Sequence, residues 1–376
     1  MNLSQFTNLK TIICACSGGV DSMVLAHLLQ RDLSNTKIHI LIVNHNLREN
    51  STNEANEVKQ YLKSKNFDVV EILEWKHDFI KTRVEEEGRK ARQNLIFDYA
   101  INNNIEAVFL GHHLGDVEEN FFLKLGMGSG LFGLTSLKME KDYRYKGNFL
   151  KIIRPLVQNT KKEILDFANK NQIFFVQDET NFEDTFKRNR IRKNLSFFEV
   201  GNSQFLTTFK ALIEAESIIK SRLKKIFDTI VTFDAQFGFF SLKKEDFPSL
   251  SADEIKFCLK QMIFYLNEKC QVRTRELENA VLFLQKFHSF TLGGMEIFYH
   301  KEKIFFIKEY DKIKNDIENT IWDFRFKIGE KSHTILPKLP FKIIKTLPYV
   351  FTSSKKNLAK EYFLSYKIEP VEFKVI

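Results

Sequence analysis

The sequence predicts an α/β protein: a parallel sheet covered by helices on both faces, then a helical middle domain, then a small C-terminal α+β domain. Two features carry that reading. Short β-branched runs alternate with helical periodicity through the first half of the 376 residues, and long amphipathic stretches take over beyond Gly201. Strands that alternate with helices argue for crossover connections and a parallel sheet. The expected domains are 1–200, 201–310 and 318–376.

TIICAC (11–16) is the first strand and DSMVLAHLLQR the helix after it. KIHILIVN is the next strand, followed by a polar helix from Ser51 to Lys65. DVVEIL, a helix over Glu85–Asn103, AVFLG and a helix over Gly115–Leu125 continue the alternation. Three stretches beginning at Ser203, Asp253 and Thr274 repeat apolar residues at three and four spacing, which is a helical period. Phe290–Glu309 reads as two strands around a polar turn at 300–303, and Glu309–Thr320 as a charged linker. The remainder has short strand-like pieces and four of the six prolines.

A net charge of +9 and a pI near 9.1 favour polyanionic partners, nucleic acid among them. The four cysteines, at 14, 16, 258 and 270, form no C-x-x-C pair, which argues against a zinc ribbon, an iron–sulfur site or a disulfide framework. No apolar run approaches the roughly 18 residues of a membrane span, and the first residues lack the pattern of a signal peptide. The expected location is cytoplasmic, with reduced thiols.

Between the first strand and the first helix stands SGGVDS, residues 17–22. A glycine turn that opens a helix is an anion site, because the first-turn N–H groups point outward and the helix dipole favours negative charge. Gly18 and Gly19 let backbone approach a phosphate, Val20 starts the helix, and Ser17 and Ser22 add hydroxyl donors. Asp21 can hold Mg2+ or cap the helix. The lysine of a Walker-type loop is missing, so this is a different phosphate loop. On its own the hexapeptide serves equally well as a capped turn.

SGGVDS in this setting resembles the PP-loop of the N-type ATP pyrophosphatases, and four further stretches resemble blocks of the tRNA(Ile)-lysidine synthases within that class. They are VNHNLRENSTNEA (43–55), EEEGRKARQNLIFDYA (85–100), GHHLGDVEENFFLKLGMGSGLFGL (111–134), and IIRPL (152–156) with DETNFEDTFKRNRIR (178–192). Together they cover most of residues 11–195. Asn44, Gly115, Gln93 and Met127 depart from the family pattern. Many relatives continue further past the last strand, so the final domain is expected to be a trimmed version.

The resemblance implies a Rossmann-like PP-loop domain and an ATP-dependent ligase. ATP would adenylate the wobble cytidine of an isoleucine tRNA with a CAU anticodon, and free L-lysine would displace AMP to form lysidine. It implies ATP and Mg2+ as cofactors, tRNA and lysine as partners, no membrane, and a homodimer. A tRNA thiolase or another amidating ATP pyrophosphatase is the alternative. Asp116 and Glu119 share a helix face and are expected to bind metal, hold lysine or deprotonate its amine, unless they are a solvated acidic face. His112 and His113 end a strand; one is expected to act in the chemistry, taken as His113, and the other in the structure. His45 borders ATP or packs a loop. Arg89 and Arg92 form one helical stripe with Glu85, a phosphate clamp or a salt-bridge ladder. Arg154 stabilises the adenylate or pins a turn. Lys187, Arg188, Arg190, Arg192 and Lys193 put five positive charges in seven residues, suited to an RNA backbone or to plain solvation. Gly128–Leu134 is a closing loop or a turn.

Overall fold

In the computed structural model the described residues are 1–46, 50–77, 84–176, 201–234, 236–267, 270, 272–313, and short segments within 317–370. The chain forms two compact units, one of Met1–Tyr143 with Phe149–Ser217, the other of Arg144–Asn148 with Ile218–Ile376.

The first unit is built on strands β1 (Thr11–Cys16), β2 (Lys37–Asn44), β3 (Val69–Glu74), β4 (Ala107–Leu110), β5 (Glu140–Tyr145) and β6 (Asn148–Ile153), in the order β3-β2-β1-β4-β6-β5. Pairing is parallel from β3 through β6, with Ile13 opposite both His39 and Val108. Helices α1 (Val20–Asp32), α2 (Ser51–Ser64), α3 (Val84–Asn102), α4 (Leu114–Gly126), α5 (Leu131–Leu134) and α6 (Lys161–Lys170) accompany them. Ile12, Ile13, Met23, Leu25, Leu28, Leu29 and Phe109 are fully buried, as a sheet covered on both faces demands. From β1 the chain runs to β2 and β3 on one side, then returns to place β4 on the other. The reversal falls between β1 and β4, and ligands of such sheets bind beyond the carboxyl ends of the strands at that point.

Strands β5 and β6 fall in a stretch where the sequence reading placed only the Arg154 motif. Their turn is Lys146-Gly147, with φ of 50° and 79°, the backbone a tight hairpin requires. The alternation in EKDYRY is carried by charged residues, which hides the strand from a hydrophobicity pattern.

Residues 201–310 carry the long helices expected of them and the two strands expected in Phe290–Glu309, and they add further short strands that complete a sheet. Helix α7 (Asn202–Ile230), which begins in the first unit, leads into strands β7 (Thr232–Asp234), β8 (Phe239–Lys243), β9 (Phe290–Leu292), β10 (Met295–His300) and β11 (Lys303–Lys308). They form an antiparallel sheet in the order β7-β8-β11-β10-β9. Helices α8 (Ala252–Leu266) and α9 (Thr274–Gln285) bury Met262, Ile263, Leu277 and Leu284 in one core with Phe240 and Phe306. Strands β7 and β8 are three and five residues long and sit between long helices, so the helical period dominates that window. Inside this unit the buried Arg144 donates to the carbonyls of Phe264 and Tyr265 at the end of α8 and stacks 4.5 Å from the Tyr265 ring.

The last strands, β12 (Ile317–Glu318), β13 (Ile321–Trp322), β14 (Phe326–Lys331) and β17 (Tyr366–Pro370), make a four-stranded antiparallel sheet. Helix α10 (Phe341–Ile344) and the pair β15 (Tyr349–Ser353) with β16 (Lys360–Leu364) complete the described chain. Among the described residues no helix is long and apolar enough to cross a membrane.

Phe240 is fully buried against Phe227, Phe233 and Tyr265. Phe240→Ala is expected to destabilise the second unit by about 3–5 kcal/mol, read as a lower urea midpoint by fluorescence.

Candidate active site

The turn from β1 into α1 is shaped by two neighbours. Gly18 sits at φ +85°, and a Cβ there would lie 2.8 Å from Cγ2 of Val58. Only glycine takes that conformation beside α2 without strain. The Gly18 carbonyl accepts the N–H of Val176, which ties the loop to the chain after α6. Ser22, 5% exposed, donates its hydroxyl to the Gly19 carbonyl and accepts the Ser17 N–H at 3.1 Å. Gly19 is the N-cap of α1 and supplies no side-chain bond, while Val20 is buried behind it. Among the described residues no side chain caps this first turn, and its outward amides suit an external acceptor.

Asp21, in that first turn, has a partner other than the expected magnesium ion. Nζ of Lys161, the first residue of α6, lies 2.7 and 2.8 Å from its two carboxylate oxygens. No group of three or more His, Cys, Asp or Glu side chains able to hold a metal exists among the described residues. A magnesium ion needs near-octahedral oxygen ligands at about 2.0–2.1 Å. Magnesium is ordinarily bound through one or two carboxylates together with substrate phosphates rather than by an all-protein cage, and Asp21 is the carboxylate at this helix start.

The end of β4 adds a second group. Gly111 lets the strand end press on α1, since a Cβ there would be 3.0 Å from the Ser22 nitrogen. His113 is the N-cap of α4: its Nδ1 accepts the Gly115 N–H at 3.0 Å, and Oδ2 of Asp116 accepts the His113 N–H at 2.9 Å. This reciprocal cap gives His113 the structural task and leaves His112 as the histidine with a buried, unpartnered nitrogen, Nδ1. The two carboxylates of α4 also differ. Asp116 keeps 26% of its side chain exposed, whereas Glu119 is 3% exposed and lies inside the fold.

Arg154 follows β6, is 9% exposed, and donates through Nη1 to the Lys138 carbonyl at 3.2 Å, while its Nε has no hydrogen-bond partner among the described residues. Burial and, next, the charge of Arg89 lower its pKa to about 10, so it stays cationic at neutral pH. His112 is lowered to about 4, first by burial and then by Arg154, Arg92 and Arg89 against the opposing pull of Asp116. Arg89 and Arg92 are exposed on α3, and their action on His112 and Arg154 shows that this stripe faces the ends of β4 and β6. On the same helix Lys90 pairs with Glu86 and Glu87, both at 3.0 Å.

His45, after β2, packs edge-on to Trp75 at 5.8 Å, and its carbonyl accepts a bond from His77 or lies against it at 3.0 Å. Burial, then Arg92 and His77, lower its pKa. Arg92 thus acts on both flanks of the phosphate loop, at His45 and at His112. Lys187, Arg188, Arg190 and Arg192, the expected RNA contacts, lie outside the described residues, as does the side chain of Glu85. Sequence reasoning missed Lys161, which lies far along the chain from Asp21, and Trp75, which belongs to no block; only their positions at helix start and strand end were available as signals.

Comparison with known proteins agrees with this layout. Residues 2–197 match the PP-loop domain family. The chain is 30% identical over 387 aligned residues to the tRNA(Ile)-lysidine synthase of Wolbachia sp. subsp. Brugia malayi (strain TRS), covering 94% of this chain and 88% of that protein. It is 28% identical to the enzyme of the same description from Wolbachia pipientis wMel, covering 87% and 78%. Among solved structures, the U34-tRNA thiolase of Methanococcus maripaludis with its [4Fe–4S] cluster aligns with a TM-score of 0.46 at 19% identity, over 55% of this chain and 72% of that one.

The depressed pKa of His112 links to stability with a definite sign. Below the unfolded value of about 6.5 the unfolded chain takes up a proton that the folded chain refuses until about 4. Stability therefore falls as pH drops through that window, and above it the group contributes nothing. His112→Asn is expected to remove about 2 kcal/mol of the loss between pH 7 and pH 5, measured by urea denaturation at both values.

Proposed function

The chain belongs to the tRNA(Ile)-lysidine synthases, a PP-loop family, and we propose that its first unit carries out both half-reactions in the crevice beyond β1 and β4. The enzyme is an ATP-dependent carbon–nitrogen ligase acting on tRNA. In the first step the O2 of the wobble cytidine of a CAU-anticodon isoleucine tRNA attacks the α-phosphate and pyrophosphate leaves. In the second the ε-amine of free lysine attacks C2, AMP leaves, and the new nitrogen gives up a proton.

One observation supports this reading above others: an uncapped helix start and an arginine–histidine–aspartate group meet at the ends of adjacent strands. The amides of α1, with the Ser17 hydroxyl, suit the polyphosphate, while Ser22 is spent inside the turn on the Gly19 carbonyl and the Ser17 N–H. Arg154 keeps its charge in a buried setting and has an unused Nε, which suits the negative charge of the adenylate. Arg92 and Arg89 add positive potential from α3. Asp116, partly exposed and held by the α4 cap, suits the ammonium of lysine. The ordinary pKa of that ammonium, near 10.4, leaves little free amine at neutral pH, so a carboxylate that takes its proton as attack begins favours the second step. His112, neutral at that pH, accepts or donates a hydrogen bond without adding charge. The basic run 187–193 and the second unit are the proposed RNA contacts.

Sulfur transfer fits these residues poorly. Cys14 and Cys16 are buried, and burial raises their pKa, Cys14 well above the ordinary range. Such thiols are poor nucleophiles.

The decisive measurement is ATP-dependent incorporation of radiolabelled lysine into a CAU-anticodon isoleucine tRNA. Sulfur transfer without lysine incorporation would sink the proposal. Ser17→Ala and Asp21→Ala are expected to abolish adenylation with the fold intact by circular dichroism, and Asp116→Asn to slow lysine transfer by about 100-fold or more.

A further inference from the structure

We propose that Lys138 and Glu216 are positioning residues for adenylation: their ion pair fixes the carbonyl that holds the Arg154 guanidinium and so aims the remaining Nε at the nucleotide. The inference rests on the role given to Arg154 above and extends it to two residues that lie outside every motif block.

Arg154 is held by two successive carbonyls. Its N–H donates to Met139 at 2.7 Å and its Nη1 to Lys138 at 3.2 Å, so residues 138 and 139 set both where the side chain starts and where it ends. These two residues lie between α5 and β5, in neither a helix nor a strand. A carbonyl there orients a buried cation only as well as its own support allows.

Helix α7 supplies that support. Phe205, Phe209, Ile213 and Glu216 follow one another at spacings of four, four and three, which is one stripe of the helix. Phe205 and Phe209 share an apolar cluster with Leu137, and Ile213 packs against it. Glu216 continues the stripe at 2% exposed, a carboxylate where the pattern calls for another apolar side chain. Its Oε1 accepts a hydrogen bond from Nζ of Lys138 at 2.9 Å. The stripe thus grips two adjacent residues, Leu137 through apolar burial and Lys138 through charge.

Stability alone is a poor reason for such a pair. Burying an ion pair costs the desolvation of both groups, and well-packed apolar residues of like volume serve a fold as well or better. What the pair adds is direction, which apolar burial lacks. The Nη1 contact to Lys138 is already at 3.2 Å, so moving the carbonyl by about half an ångström takes it out of hydrogen-bond range. A guanidinium misplaced by about 1 Å at a reacting phosphate slows the step by up to about 100-fold.

The test follows pyrophosphate release from ATP in a single turnover, with the full chain, the CAU-anticodon isoleucine tRNA and no free lysine. Lys138→Met/Glu216→Leu removes both charges together and leaves no lone buried ion. It is expected to melt within a few degrees of wild type and to release pyrophosphate about 10- to 100-fold more slowly at saturating ATP, with KM for ATP within about threefold. Lys138→Arg, which keeps the pair, is expected within about threefold of the wild-type rate. In an Arg154→Lys background the double replacement is expected to cost no more than about twofold, because the group it positions is gone. A wild-type rate in the folded double variant would overturn the proposal, and so would an equal loss with and without Arg154, the mark of general loosening. Should the double variant not fold, the isostere Glu216→Gln carries the same comparison, with a loss of about 3- to 10-fold that again disappears without Arg154; a wild-type rate there overturns the proposal instead. Wild-type turnover in Arg154→Lys would remove the role of Arg154 alone, and absence of pyrophosphate release by the wild type would remove the ATP reading; the inference falls with either.

Discussion

The structure turns on a helix start, that of α1, which takes no side-chain cap from its own N-cap residue. Helices α4 and α6 begin with reciprocal side-chain caps, at His113 with Asp116 and at Thr160 with Glu163. Helix α1 begins at Gly19 with none. Leaving it open is possible only because Gly18 adopts a left-handed turn against Val58 and because Gly111 lets β4 close up beneath Ser22. The parallel order of the sheet then puts the open helix end where the chain reverses direction, so fold and anion affinity have one cause.

Around that opening, charge is divided between imidazoles kept neutral and guanidinium groups kept charged. His45 and His112 are held neutral by burial and by arginine, while Arg154 stays charged in spite of burial. The positive potential therefore resides on guanidinium groups and persists across the physiological pH range. Asp116 faces this field as a carboxylate fixed by a helix cap, which holds its orientation without consuming the whole side chain in the interior, as happens to Glu119.

What could be read from the residue order alone follows the range over which each feature is encoded. The strand–turn–helix units of the first half are local, and TIICAC, SGGVDS and the helix after it reappear as β1, its turn and α1. The pairing of Asp21 with Lys161 joins segments that only the α1–α6 packing brings together, so no spacing rule reveals it. The choice between His112 and His113 depended on which imidazole met the Gly115 amide, a matter of ring direction rather than of sequence. In the second unit, β7 and β8 gain their stability from Phe227 and Tyr265 on neighbouring helices, and their short runs carry little signal by themselves.

Arg144 bears on how the protein can be divided. The second unit takes in Arg144–Asn148, well upstream of the rest of its chain. A fragment starting at Ile218 would leave the carbonyls of Phe264 and Tyr265 without the guanidinium they share and open the face of the Tyr265 ring. In coding terms the two units are interleaved rather than consecutive. Recombination that swapped one for a homologous piece would have to exchange a five-residue insert along with it, which ties their inheritance together more firmly than a single linker does.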